Sequence, residues 1–288
     1  MKFFTEVWTV AIHELQQILF SVRAVMFFVV YSTMSFLIGS SYGKFLGFID
    51  KELSDAVTPV GSEDLSNAGV SATQVFQELF EKQPQLISVF GGREVADALS
   101  NGDLSVLIWF ILNLSSWVLP GLILIIGYDR ISDDLSSKFS RFVFLRLRRE
   151  SYLTGKVLAQ WTVAVIVFGV VFLVGLLLVG QSEYVKMEAV TSSAISIWAG
   201  MFLYLLAYVC LTVLFSVNFT PAFRSLALGL TILMAFGLLS IFKNFDEFWL
   251  GDQALPLWMG APSAYLVYAT HIFLWLGLAI MRIRNREI

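Results

Sequence analysis

The chain has 288 residues, 57% of them hydrophobic and only 14% charged, with 26 Phe and a formal net charge of −3. These proportions exclude a soluble domain built around a large core and identify an all-α polytopic membrane protein. One cysteine, Cys210, lies inside an apolar run, which excludes an intrachain disulfide and a cysteine-based metal site, and no basic excess invites nucleic acid.

Residues 1–23 open the chain as an amphipathic helix. Phe4, Val7, Trp8, Ala11, Leu15, Ile18, Leu19 and Val22 share one face, while Lys2, Glu6, Thr9, His13, Gln16 and Gln17 fall elsewhere. Glu14 and Gln16 interrupt what a signal peptide would keep apolar, and no small-residue cleavage site follows. The segment therefore reads as an interfacial helix lying in the membrane plane. His13 has no second ligand at helical spacing and is a polar-face residue.

Six apolar runs follow, at 24–42, 106–127, 157–180, 193–217, 225–242 and 263–281, each near the ~20 residues that cross the hydrocarbon. Residues 24–288 thus form one six-span domain with both ends on the same side. Thirteen of the nineteen Lys and Arg residues fall on that side, so the positive-inside rule places both termini in the cytoplasm.

Between the first two spans, residues 43–104 form one external loop, too long for a connector and too polar for lipid. Ser71 and Gln74 have capping-box spacing ahead of Val75, Phe76, Leu79 and Phe80, and Pro84 closes that helix. A second short helix covers Glu94 to Leu99, between Gly91-Gly92 and Asn101-Gly102. The loop reads as a small helical cap where an external partner or exported cargo docks; the alternative is a partly disordered acidic loop.

Residues 128–156 are the one long polar stretch on the basic side. Ser132 stands as an N-cap, with Asp133 and Asp134 where a helix dipole favours negative charge. Leu135, Phe139, Phe142 and Val143 then recur at i, i+4, i+7 and i+8 and give a short helix one apolar face. Arg141, Arg146, Arg148 and Arg149 crowd its end, and Gly155-Lys156 lead into the third span. Such a helix lies on lipid headgroups or in a partner's groove, and the residues alone prefer neither.

The spans themselves carry polar but uncharged groups. Asn113, Ser115 and Ser116 precede Pro120 in the second span, and Tyr204, Tyr208 and Thr212 repeat at i, i+4 and i+8 in the fourth. They either glue helices together or line a path or dimer seam. No Asp, Glu, Lys or Arg lies away from the span ends, so ion-coupled transport has no obvious carrier. His271, three residues after Tyr268, reads as an interhelical hydrogen-bonding residue. Thr220-Pro221 starts the fifth span as an N-cap followed by Pro at the first helical position. Trp249 and Trp258, before the sixth, read as interfacial anchors.

Chemistry is defined chiefly by absences. Gly43-Lys44 has Gly39 one place too close for a phosphate-binding loop and Phe45 where a hydroxyl belongs; Gly155-Lys156 has Glu150 where the first glycine is required. No His and carboxylate cluster has metal-ligand spacing, and no nucleophile elbow is present. The chain has no catalytic residues, no metal site and no cofactor of its own.

The order Ile131-Ser132-Asp133-Asp134, Ser137-Lys138-Phe139, Phe142-Val143, then Arg149 six residues before Gly155-Lys156, is similar to a loop of type-2 ABC exporter permeases. That loop joins their second and third spans in the cytoplasm, and the likeness is to the branch linked to copper-enzyme maturation. The chain departs from the pattern with Ser137-Lys138 in place of Gly-Thr and Arg146 in place of a proline. The resemblance implies an elbow helix at residues 1–23, a bacterial-type inner membrane, and a coupling helix docked on a separate ATPase subunit that binds ATP and Mg. It also implies a second permease copy or a homologous permease as partner.

On that reading Leu135, Phe139 and Phe142 fill the ATPase groove, Asp133 and Asp134 cap and position the helix, and Arg148 and Arg149 fix it by charge. Asn113 and Ser116, with Tyr204 and Tyr208, are the candidates for the path or seam. The expected function is an export permease driven by another chain. The alternatives are a non-transporting ABC subunit that passes motion to an external partner at 43–104, and a membrane anchor or assembly factor. No Met-rich or His-rich track suits copper as cargo.

Overall fold

Backbone in hydrocarbon has no water to bond, so a chain of this composition satisfies its N–H and C=O groups inside helices. The structure, a computed structural model, describes residues 2–37, 106–137, 139–180, 187–219, 221–239, 254–258 and 260–286, and all regular structure among them is helical. In chain order the helices are α1 (Lys2–Leu19), α2 (Val22–Leu37), α3 (Val106–Gly127), α4 (Ser132–Ser136), α5 (Phe139–Phe144) and α6 (Arg149–Gly180). There follow α7 (Met187–Asn218), α8 (Ala222–Leu239), α9 (Ala254–Trp258) and α10 (Pro262–Arg284). The helices expected in the loop 43–104 lie outside the described residues.

Four described stretches are long and apolar enough to cross a membrane: Ile111–Ser136, Arg149–Val174, Ile195–Asn218 and Pro262–Arg284. Helices α1 and α2 meet at 66° and make a fifth if the bent pair counts as one span. The sequence predicts six. The difference falls at the first and fifth runs: α2 is described only to Leu37, and the apolar stretch Ala222–Ala235 of α8 is shorter than a full crossing.

Ser21 makes the bend between α1 and α2. Its hydroxyl donates to the Ile18 carbonyl at 2.7 Å and accepts the Ala24 N–H at 3.2 Å, ending one helix and capping the next. The broad apolar face expected of α1 divides in two. Val7, Ala11 and Ile18 are buried, with Val10 and Glu14 beside them, while Phe4, Trp8 and Leu19 point outward.

The chain divides into two units. The first comprises Met1–Tyr31, Ser115–Gly169 and Ser196–Ile288; Leu119, Ile123, Leu124, Phe168, Tyr204 and Tyr268 are fully buried in it. Polar groups tie its helices: the hydroxyls of Tyr31 and Ser115 share a 2.5 Å hydrogen bond, and Gln160 Nε2 donates to the Ile123 carbonyl at 3.0 Å. The second unit comprises Ser32–Leu114 and Val170–Ile195; Ile108, Trp109, Ile111 and Leu112 are buried there.

Two glycines in the first unit mark close approaches. At Gly155 a Cβ would lie 2.7 Å from Val10 and 2.9 Å from the Val7 carbonyl, so the absent side chain admits α1 against α6. At Gly200 it would lie 2.9 Å from the Leu257 carbonyl, which seats short α9 on α7. Gly260, at φ 82°, then turns the chain in the left-handed region, and Pro262 opens α10 from an extended Ala261.

The Gly155 contact makes a simple prediction. Gly155→Ala forces α1 off α6 and costs about 1–3 kcal/mol, the usual range for an overpacked site, read as a lower thermal midpoint in detergent. Gly277→Ala, where nothing lies within 4 Å of the added carbon, leaves the midpoint where it is or raises it slightly.

Candidate functional site

The polar stretch between α3 and α6 folds as two short helices rather than one. Ser136 and Ser137 explain the break: their hydroxyls bond the carbonyls of Asp133 and Asp134 at 2.9 and 3.3 Å, competing with helix continuation. The Ser137 N–H also bonds the Asp133 carbonyl at 2.9 Å, which closes α4 there.

The expected N-cap is also replaced. Ile131 holds the cap position without a side-chain bond, and Ser132 sits inside the helix with its hydroxyl turned back to the Tyr128 carbonyl at 3.1 Å. The N–H groups of Ile131 and Ser132 instead donate to Ser216 Oγ, each at 3.1 Å. A serine on α7 thus satisfies the amides that open α4. Asp134 is no cap either, because its carboxylate is engaged elsewhere.

That engagement is the centre of the site. Lys156, 5% exposed, donates from Nζ to Asp134 Oδ2 at 2.6 Å and to the Arg130 carbonyl at 2.6 Å, and pairs with Glu14 Oε1 at 2.9 Å. Its ammonium lies 5.0 Å from the ring centre of Tyr152, whose hydroxyl donates to the same Asp134 oxygen. Phe144 of α5 stands edge-on to Tyr152 at 5.2 Å. One buried cation therefore joins α1, α4 and α6, and a stack of rings adds α5.

A second polar cluster lies at the end of α10. Arg149 Nη1 donates to the carbonyls of Ile283, Arg284 and Arg286 at 3.1, 2.8 and 3.0 Å, and its guanidinium lies 5.5 Å from the Phe144 ring centre. Glu150 pairs with Arg284, and Arg286 Nη1 donates to the Val217 carbonyl at 2.7 Å. Burial, followed by the charge of Arg282, lowers the pKa of Arg286. On the side of α2, Arg23 pairs with Asp129 and lies over the Tyr128 ring at 5.2 Å.

The sequence-predicted residues therefore separate by partner. Asp133, Phe142 and Arg148 are exposed, and Leu135 is half-buried. For Phe139 the structure gives only its place at the start of α5. Asp134 and Arg149 are bound within the chain, so neither is an open charge for a partner. Phe142 is 71% exposed and its neighbour Leu145, which the periodicity omits, is 83% exposed.

Of the path-or-seam candidates, Asn113 and Ser116 are half-buried on α3. Tyr204 and Tyr208 are buried, with Tyr204 donating to the Ser116 carbonyl at 2.7 Å and packing on Tyr208, Trp258 and Tyr268. Tyr204 holds α7 to its neighbours within the chain, and Tyr208 is buried beside it. His271 donates from Nδ1 to the Val267 carbonyl of its own helix at 2.8 Å, rather than across helices.

Glu14, Tyr152, Lys156 and Ser216 are the residues sequence reasoning missed as partners. A usable signal existed for two of them: a lysine at the head of an apolar run and a glutamate inside an amphipathic helix each need an opposite charge when buried. Nothing in the sequence pairs Ser216 with Ile131. No group of three or more His, Cys, Asp or Glu among the described residues is placed to hold a metal. The arrangement suits the transmission of force between helices.

In comparison with known families, a family model described as ABC-2 family transporter protein matches residues 8–244, most of the chain. Comparison with curated proteins finds no match.

Removing the central cation tests the site as built. Lys156→Met strands Glu14 and Asp134 and costs about 3–5 kcal/mol, the usual penalty for breaking a buried pair, measured by thermal or denaturant unfolding. Adding Glu14→Leu to Lys156→Met recovers part of that loss, so a double-mutant cycle returns a coupling energy well away from zero.

Proposed function

Because the chain belongs to the ABC-2 transporter family, we propose that it is the membrane permease subunit of an ABC exporter, worked by a separate ATPase subunit. In this reading residues 1–23 are the elbow helix, residues 24–288 form the six-span permease domain, and both termini face the cytoplasm of an inner-membrane-type bilayer. ATP and Mg belong to the ATPase, and two permeases pair in the membrane. The likeness to the copper-enzyme-maturation branch is kinship within the family and carries no cargo with it.

Residues 128–156 are the coupling loop. The observation that carries this is the pair Phe142 and Leu145, large apolar side chains 71% and 83% exposed on a segment anchored by a buried ion pair. Both lie between the candidate spans Ile111–Ser136 and Arg149–Val174. A rigid base with an exposed apolar tip suits insertion into a partner's groove. Half-buried Leu135 borders that tip, Asp133 and Arg148 supply exposed charge at its edge, and Asp134 holds it from beneath; Phe139 opens α5 and is assigned to the same docking role from its place in the sequence.

Closure of two ATPases on ATP would press on α4 and α5. Lys156 passes the displacement to α1 and α6, because separating them would expose unpaired charge in a low dielectric. The tilt of α6 and its neighbours then exchanges an inward-facing for an outward-facing arrangement. The Asn113 and Ser116 side of α3 remains the proposed path or seam, while Tyr204 and Tyr208 act as intrachain glue.

Co-purification tests the assignment. A Phe142→Asp plus Leu145→Asp variant inserts in the membrane and unfolds at the wild-type temperature but loses its ATPase. An ATPase retained at wild-type yield by that variant would remove α5 and its following turn from the docking role.

A further inference from the structure

We infer that Arg149 is a positioning residue that hands motion of the coupling loop directly to the end of the last helix, α10. The inference rests on the docking role proposed for that loop but assigns Arg149 to a different task from the one its place in the motif implies. An arginine in a run of exposed basic residues would be expected to face a partner. This one faces inward.

Its contacts define the task. The last carbonyls of a helix have no intrahelical partner and carry the negative end of the helix dipole, so a cation there is well placed. Arg149 Nη1 meets the carbonyls of Ile283, Arg284 and Arg286 together, between 2.8 and 3.1 Å. The same guanidinium covers Phe144, the last residue of α5. One planar group therefore touches both the docking segment and the end of α10.

Two flanking contacts keep the pieces in register. Glu150 pairs with Arg284, and Arg286 continues to the Val217 carbonyl near the end of α7. The route Phe144, Arg149, carbonyl end of α10, Arg286, end of α7 does not pass through Lys156. It reaches α10, whose opposite end carries the turn at Gly260 and α9. The family match ends at residue 244, so α10 lies beyond it.

Spin labels at Arg146→Cys and Arg282→Cys, in the full chain co-purified with its ATPase in nanodiscs, read this link; native Cys210 is buried. With Arg149 present, the distance between labels is narrow and stays the same when ATP and vanadate trap the closed ATPase. Arg149→Gln keeps the ATPase bound, broadens the distance, makes it change on trapping, and lowers permease-dependent stimulation of ATP hydrolysis about fivefold or more, the lower end of ordinary coupling effects. Arg149→Lys, whose ammonium also donates to carbonyls, restores most of both.

Where Arg149→Gln fails to accumulate, Phe144→Leu removes the ring and keeps the carbonyl bonds, and it broadens the distance in the same direction. Unchanged distances and stimulation in these variants overturn the inference. Loss of ATPase binding in Arg149→Gln also overturns it, because Arg149 would then be a docking residue. Failure of the wild type to retain an ATPase instead sinks the docking role on which the inference stands.

Discussion

The ammonium of Lys156 is the constraint on which the rest of the site depends. A lysine almost removed from solvent costs several kcal/mol unless opposite charge and hydrogen bonds replace its water. Here Glu14 from α1, Asp134 from α4 and the Arg130 carbonyl supply them, with the Tyr152 ring beneath. The two carboxylates come from separate parts of the chain, so neither can leave without stranding its own charge. Such a cluster adds little net stability over an apolar core, but it penalises every alternative placement of α1 and α4.

Close approach is the condition for that cluster. Glu14 reaches Lys156 only because α1 lies against α6, and α1 lies there because Gly155 has no side chain to hold it off. Glycine and lysine at adjacent positions thus act on the same neighbour: one admits the helix and the other fixes it. Ser216 does a comparable service from α7, taking the two amides that α4 would otherwise leave open. The short helix, too small to be stable alone, is held at its start by Ser216 and at Asp134 by Lys156, both remote in sequence.

What was legible in the sequence follows from how local its cause is. Helical class, the amphipathic character of α1, the Pro262 start of α10 and the position of the polar stretch all rest on composition or spacing within a few residues. The break between α4 and α5 was less legible, because Ser136 and Ser137 bond their own backbone in competition with a helix that periodicity alone supports. The roles of Asp134 and Arg149 were not legible. Both look like surface charge in a polar stretch, and only the fold shows that Lys156 and the α10 carbonyls already hold them. The tyrosines of α7 were ambiguous for the same reason: a polar stripe at helical spacing fits a seam and a packed interior equally well.

The division of residues 128–156 into held and open side chains has a physical logic. Charges that would be expensive to expose and cover repeatedly are paired inside the chain, on Lys156 and at the end of α10. Among the described residues between the candidate spans, the large apolar side chains left open are Phe142 and Leu145, where burial against a partner is worth roughly 25 cal/mol per Å² and has no geometric demand. Attraction at the tip is therefore non-directional, while the base behind it is fixed by directional bonds. On the docking role proposed above, rotation of α4 or α5 within their seats is opposed by the bonds at Lys156, Ser216 and Arg149. On the coupling role proposed above, the displacement passes to α1, α6, α7 and α10, the helices that hold those three residues and their partners.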